Sequence, residues 1–122
     1  MGSQTLRPPI TDLVPVVVYP AWSLEKGLLT GGAAIKPGTV LAKVAGKYQV
    51  INFAGTAADK KAAAVAYEMA DVESGDIEAM VVARGAVVDV GGLIWPEGAT
   101  DTQKSTAAAD LDARGIVLRA AL

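Results

Sequence analysis

From Thr39 onward the chain alternates short apolar runs with glycine-containing or polar breaks. Thr39–Val44 and Tyr48–Phe53 flank Ala45-Gly46-Lys47, so the spacing predicts a hairpin with a glycine-containing loop. The small, polar stretch Gly55–Lys61 reads as a loop. Over Ala62–Val72, Val65, Tyr67 and Met69 alternate with Ala66, Glu68 and Ala70, the period of a strand with two unlike faces. Ser74-Gly75-Asp76 turns the chain. Ile77–Arg84 is the next predicted strand, with Gly85 marking a bulge, and Ala86–Val90 runs on extended to Gly91-Gly92.

One helix is predicted, and it comes late. Thr100 and Gln103 have the spacing of a capping box, and Asp101 sits where the helix dipole favours an acid. Asp101–Ala113 contains neither Gly nor Pro, Gly115 is a natural stop, and Ile116-Val117-Leu118 resumes as a terminal strand. Ala107, Ala108, Ala109 and Ala113 give the helix small faces that admit close approach of its own sheet or of another subunit.

Residues 1–38 follow other rules. Pro8, Pro9, Pro15, Pro20 and Pro37 bar helix interiors and sheet centres and push their predecessors toward extended backbone. This predicts an extended arm without its own core, apart from a helical turn at Ser23–Leu29 capped by Ser23. Residues 39–122 form the body. Within the arm, Leu13, Val14, Val16, Val17, Val18 and Tyr19 suit an edge strand. Ordering residues 13–19 costs about 7–14 kcal/mol of backbone entropy. Burying the six large side chains returns about 9–18 kcal/mol. The two nearly cancel, so the strand needs a surface: the body itself or another protein, by strand addition.

Composition narrows the chemistry. The chain has 122 residues, enough for one domain, and a net charge of −2 with no His and no Cys. Disulfides, Cys/His metal sites and imidazole-dependent triads are excluded. The mild acidity speaks against a nucleic-acid partner. The longest apolar run, Leu13–Trp22, is ten residues and carries two prolines, against roughly 20 for a spanning helix. No membrane partner is expected, and Leu6 breaks the pattern of a myristoylated N-terminus.

No phosphate-binding glycine loop is present, since Gly46-Lys47 lacks its partner glycine and the hydroxyl that should follow. Asp71, Glu73 and Asp76 crowd one turn, which suggests a solvated loop more than a calcium site or a carboxylate enzyme. Lys60-Lys61 reads as a wet loop tip. No catalytic residue, cofactor site or metal site is expected. The most distinctive stretch is Leu93-Ile94-Trp95-Pro96-Glu97-Gly98-Ala99-Thr100. Here Pro96 stops a strand and Trp95 is a large anchor, either a buried corner plugging one end of a barrel or an interface hot spot.

The Trp95-Pro96-Glu97 corner with its Lys/Thr/Ala helix and short terminal strand resembles the C-terminus of the head decoration proteins of lambda-like tailed phages. The upstream order is similar too: Gly31-Gly32-Ala33, Lys36-Pro37-Gly38, two short strands, the loop at 55–58 and a strand running into Ala70-Asp71. Residues and resemblance together give an α+β, β-rich fold: a small mixed barrel-like body with one helix in its C-terminal half, preceded by an extended N-terminal arm.

The resemblance implies a non-enzymatic virion protein. It would sit as a homotrimer at threefold and quasi-threefold sites outside the expanded head and brace the shell against packaged DNA. Its partner would be the major capsid protein, bound by strand addition through Leu13–Tyr19, with Trp95 and Pro96 near the base of the body. Before assembly it would reside in the host cytoplasm. A non-viral adaptor that uses the same N-terminal strand is the alternative.

Overall fold

The computed structural model describes residues 16–17 and 23–119. Its strands are β1 (Val16–Val17), β2 (Leu24–Leu29), β3 (Val40–Val44), β4 (Lys47–Val50), β5 (Ala62–Ala66), β6 (Ile77–Val82), β7 (Ala86–Asp89) and β8 (Ile116–Arg119). The α-helix, α1, spans Asp101–Asp112. Five strands close a barrel in the order β2-β4-β3-β5-β6, and a second sheet has the order β1-β7-β8. The body is therefore β-rich and mixed, with its helix in the C-terminal half, as expected from the sequence.

The predicted hairpin forms. Val44 pairs with Lys47 across a two-residue turn, and Ala45 and Gly46 both adopt positive φ, 53° and 83°. That is the conformation whose twist matches antiparallel strands, and at Ala45 it is unfavourable for a side chain with a Cβ.

Three predicted elements differ from the structure. Ser23–Leu29 is not a helical turn: β2 lies inside residues 1–38 and pairs with β6 over six residues, from Leu24↔Val82 to Leu29↔Ile77. The 62–72 strand ends at Ala66 and is buried along its whole length, so it does not alternate between core and solvent. Its two faces lie in different cores, and its register shifts against β3, where Leu41 opposes Ala64 but Ala42 opposes Ala62, leaving Ala63 as the extra residue. Gly85 is not a bulge but a left-handed turn residue (φ 58°) between β6 and β7. Its carbonyl accepts a buried hydrogen bond from Ser23 Oγ at 2.8 Å.

Two cores result. Leu29, Leu41, Tyr48, Ala64, Ala79 and Val81 fill the barrel, with Ile35 and Val72 packed in the same cluster. The other faces of the same strands supply Val40, Ala42, Val65 and Val82, which pack with Ala86 and Val88 of β7, Ile116 of β8, and Ala107 and Leu111 of α1. Successive residues of a strand point to opposite faces, so Val40 and Leu41, or Val81 and Val82, serve different cores. The small residues of β5 let α1 lie close on the barrel wall. The capping box is complete: Thr100 Oγ1 accepts from Gln103 N at 3.1 Å, and Gln103 Oε1 accepts from Thr100 N at 2.9 Å.

Candidate functional site

Trp95 stands at a corner between the Ile94 bridge and α1 but does not plug the barrel. It is half-buried and packs on the core between barrel and helix. Its indole stacks on Phe53, ring centroids 6.4 Å apart and planes inclined by 25°. The corner is tied to the barrel by backbone bonds, from Ile94 N to Gly38 O at 2.8 Å and from Val40 N to Ile94 O at 3.2 Å. Pro96, half-buried, follows where the chain leaves that pairing. Phe53 was not singled out from the sequence, because it lies far from Trp95 along the chain.

Beside Trp95 runs an apolar trough of about 290 Å³, formed by Val90, Leu93, Trp95, Ala108 and Leu118 with Lys104 on its rim. Val90 and Ile94 at this corner are 42% and 40% exposed. The alanines of α1 divide accordingly: Ala107 is buried against the barrel, Ala108 lines the trough, and Ala109 and Ala113 are exposed. A second hollow of about 510 Å³ lies between Phe53 and the outer face of α1, edged by Lys60, Lys61 and Asp110.

Of the six residues assigned to the arm strand, Val16 and Val17 are described, as backbone. They pair antiparallel with β7, Val16↔Val87 and Val17↔Ala86. Leu13, Val14, Val18 and Tyr19 lie outside the described residues. Strands β1 and β8 form the two edges of the second sheet.

The ionisable groups gather elsewhere, on a polar cluster around Tyr48. Tyr48 Oη donates to Glu25 Oε2 at 3.2 Å, Arg84 Nη2 lies 2.7 Å from Glu25 Oε1, and Lys43 Nζ sits 5.2 Å from the Tyr48 ring centre. The hydrogen bond from Arg84 holds the Glu25 carboxyl below its ordinary value, against the opposing effect of burial. Burial, then the Glu25 charge, pushes the Tyr48 phenol up. Both shifts lead away from neutrality, so neither group is tuned to move a proton at physiological pH. The cluster fastens β2 to β4 and the end of β6.

The acidic turn is also divided. Asp76 Oδ2 pairs with Lys47 Nζ at 2.8 Å, which holds its carboxyl low with help from Thr30, while Asp71 Oδ1 accepts from Glu73 N at 3.3 Å. Among the described residues no three acidic side chains converge as a metal site, and no helix is long and apolar enough to cross a membrane.

Fold and surfaces define a small β-barrel module whose distinctive features face outward: the edges of a short sheet and an apolar corner, both suited to contact with another protein surface. The family model of the bacteriophage lambda head decoration protein D matches residues 18–116, from just before the first barrel strand to the start of β8, and the chain belongs to that family. It is a family of structural proteins of the phage head, not of enzymes. No individually curated protein matches the chain.

Proposed function

We propose that this protein binds the outside of the expanded phage head as a homotrimer, at threefold and quasi-threefold sites, and stabilises the shell against the pressure of packaged DNA. The observation that carries the reading is the family match over residues 18–116. The attachment element is the N-terminal strand Leu13–Tyr19, which adds to the sheet of the major capsid protein. In the structure Val16 and Val17 pair with β7 of the body itself, so attachment through this strand requires it to leave that edge. Two residues at a sheet edge gain about 1 kcal/mol per backbone hydrogen bond, comparable to the ordering cost of about 1–2 kcal/mol per residue. A strand held so weakly is free to exchange partners.

Symmetry supplies the rest of the affinity. Three arms on one trimer act at high effective concentration, so weak single contacts add to firm attachment. The protein waits in the host cytoplasm until the head expands. Trp95 and Pro96 stiffen the corner that carries the exposed Ile94, near the base of the body.

The test is image reconstruction of expanded, undecorated capsids incubated with the purified protein. A trimeric knob over each threefold and quasi-threefold position is the expected result. Bare capsids at micromolar protein would refute the reading for that shell.

A further inference from the structure

A ring of three copies needs two different, complementary faces on each copy, because a threefold axis brings unlike patches together. The body carries such a pair. One face is the hollow of about 510 Å³ beside α1, lined by Phe53 and Ala57 with Lys60 and Lys61 at its edge. Both lysines are exposed, and among the described residues neither is paired with a carboxylate. Asp110 is the single carboxylate in the lining, so the balance of charge there is positive. The loop that presents the lysines is held in shape: Asp59 Oδ2 accepts from Thr56 N at 3.0 Å, and Asn52 N donates to Asp59 O at 2.9 Å. Such a loop loses little freedom when a partner docks on it.

The other face is acidic. Residues 68–78 hold five of the chain's 13 acids and no Lys or Arg. Three of the five are engaged: Glu68 and Asp71 accept from the backbone N–H groups of Met80 and Glu73, and Asp76 pairs with Lys47. Glu73 and Glu78 are exposed and have no such partner among the described residues. Met69 and Ile77, large apolar side chains 55% and 42% exposed, stand in the same stretch. This edge therefore combines apolar knobs with free carboxylates, where the hollow combines an apolar floor with free lysines. The two faces lie at opposite ends of β5: Lys61 directly precedes Ala62, and the acidic turn joins the far end of β5 to β6. A paired strand holds them apart, so the edge of one copy is presented to the hollow of another.

We infer that copies of this protein join head to tail, the acidic edge of one seated in the lysine-rimmed hollow of the next; this rests on the homotrimer proposed above. Met69 and Ile77 supply apolar surface to bury against Phe53 and Ala57. Glu73 and Glu78 meet Lys60 and Lys61. Ion pairs at an exposed rim add little affinity, but they set register and exclude like-charged docking. Each copy spends both faces, so a ring that closes leaves neither uncovered.

The chain has no Cys, so introduced thiols are unique. Full-length Ala57→Cys and Ser74→Cys chains, one thiol in the hollow and one in the acidic turn, are mixed and treated with a short bismaleimide. The reaction is run on concentrated free protein and on expanded capsids incubated with it. A covalent dimer that needs both variants is expected. Lys60→Glu with Lys61→Glu should abolish it, as should Glu73→Lys with Glu78→Lys, and all four changes in every chain should restore it. Circular dichroism checks that each variant is folded. Absence of the mixed dimer from both samples would overturn the inference, as would a folded fourfold variant that fails to recover it. Decorated capsids without the mixed dimer would sink the inference and leave the capsid reading standing. Cross-linked free chains beside bare capsids would do the reverse.

Discussion

The Cδ2–Cε2 edge of the Tyr48 ring is aimed at Gly27: a Cβ at Gly27 would stand 2.5 Å from Cε2 and 2.6 Å from Cδ2 of the ring. The barrel closes at this contact. β2 meets β4 at a single bridge, Leu29↔Tyr48, extended by a hydrogen bond from Thr30 N to Tyr48 O at 2.8 Å. Gly27 thus lets a large aromatic enter the barrel where two strands join with little backbone pairing.

Gly27→Ala should therefore destabilise the body by about 1–3 kcal/mol through overpacking. Replacing Tyr48 by Leu in the same chain should recover part of that loss. Chemical denaturation of the two single variants and the double variant gives the coupling energy, and a value near zero would mean that the ring moves aside.

Ala45 offers the opposite opportunity. Its φ of 53° suits Asn or Gly better than Ala, because the left-handed conformation crowds a Cβ against the following carbonyl. Ala45→Asn should stabilise the body by about 1 kcal/mol, and Ala45→Val should destabilise it, both read as shifts in Tm.

Stability should depend on pH through Glu25 and Tyr48. The Glu25 pKa is lowered from 4.5 by the Arg84 hydrogen bond, so between the folded and unfolded values the unfolded chain binds more protons. This contribution is present above 4.5 and fades as pH falls through the folded value. The Tyr48 pKa is raised from 10.0 by burial and the Glu25 charge, so its contribution is present below 10.0 and is lost as pH rises through the folded value. Urea midpoints across pH should fall at both ends. Glu25→Gln should flatten the acid limb and Tyr48→Phe the alkaline one.

The elements legible from the residues were those specified locally. Ala45-Gly46 between two apolar runs, the Thr100–Gln103 box, and the Gly/Pro-free run after it each carry their own instructions, and each forms close to where the sequence predicts. β2 was hidden because Leu-Glu-Lys-Gly-Leu-Leu has poor strand propensity. Its conformation is imposed from outside, by six pairs with β6, by Tyr48 over Gly27 and by Arg84 on Glu25. The extra Ala63 reflects the register of β3, and the burial of β5 on both faces reflects two cores, neither of which an alternation within 62–72 encodes. At the corner, Trp95 was conspicuous by its size and its proline. Phe53 and Leu118, which help complete the surface around it, come from two distant segments, so only the folded chain brings them to Trp95.

The central claim, attachment to a phage shell through the N-terminal strand, is tested most directly by sedimenting expanded, undecorated capsids with the full chain and with a chain lacking residues 1–22. That deletion removes the strand and spares Ser23, whose hydroxyl bond to Gly85 closes the body. The account predicts that the full chain pellets with the capsids, while the shortened chain, still folded by circular dichroism, stays in the supernatant. A shortened chain that pellets with undiminished affinity would contradict it.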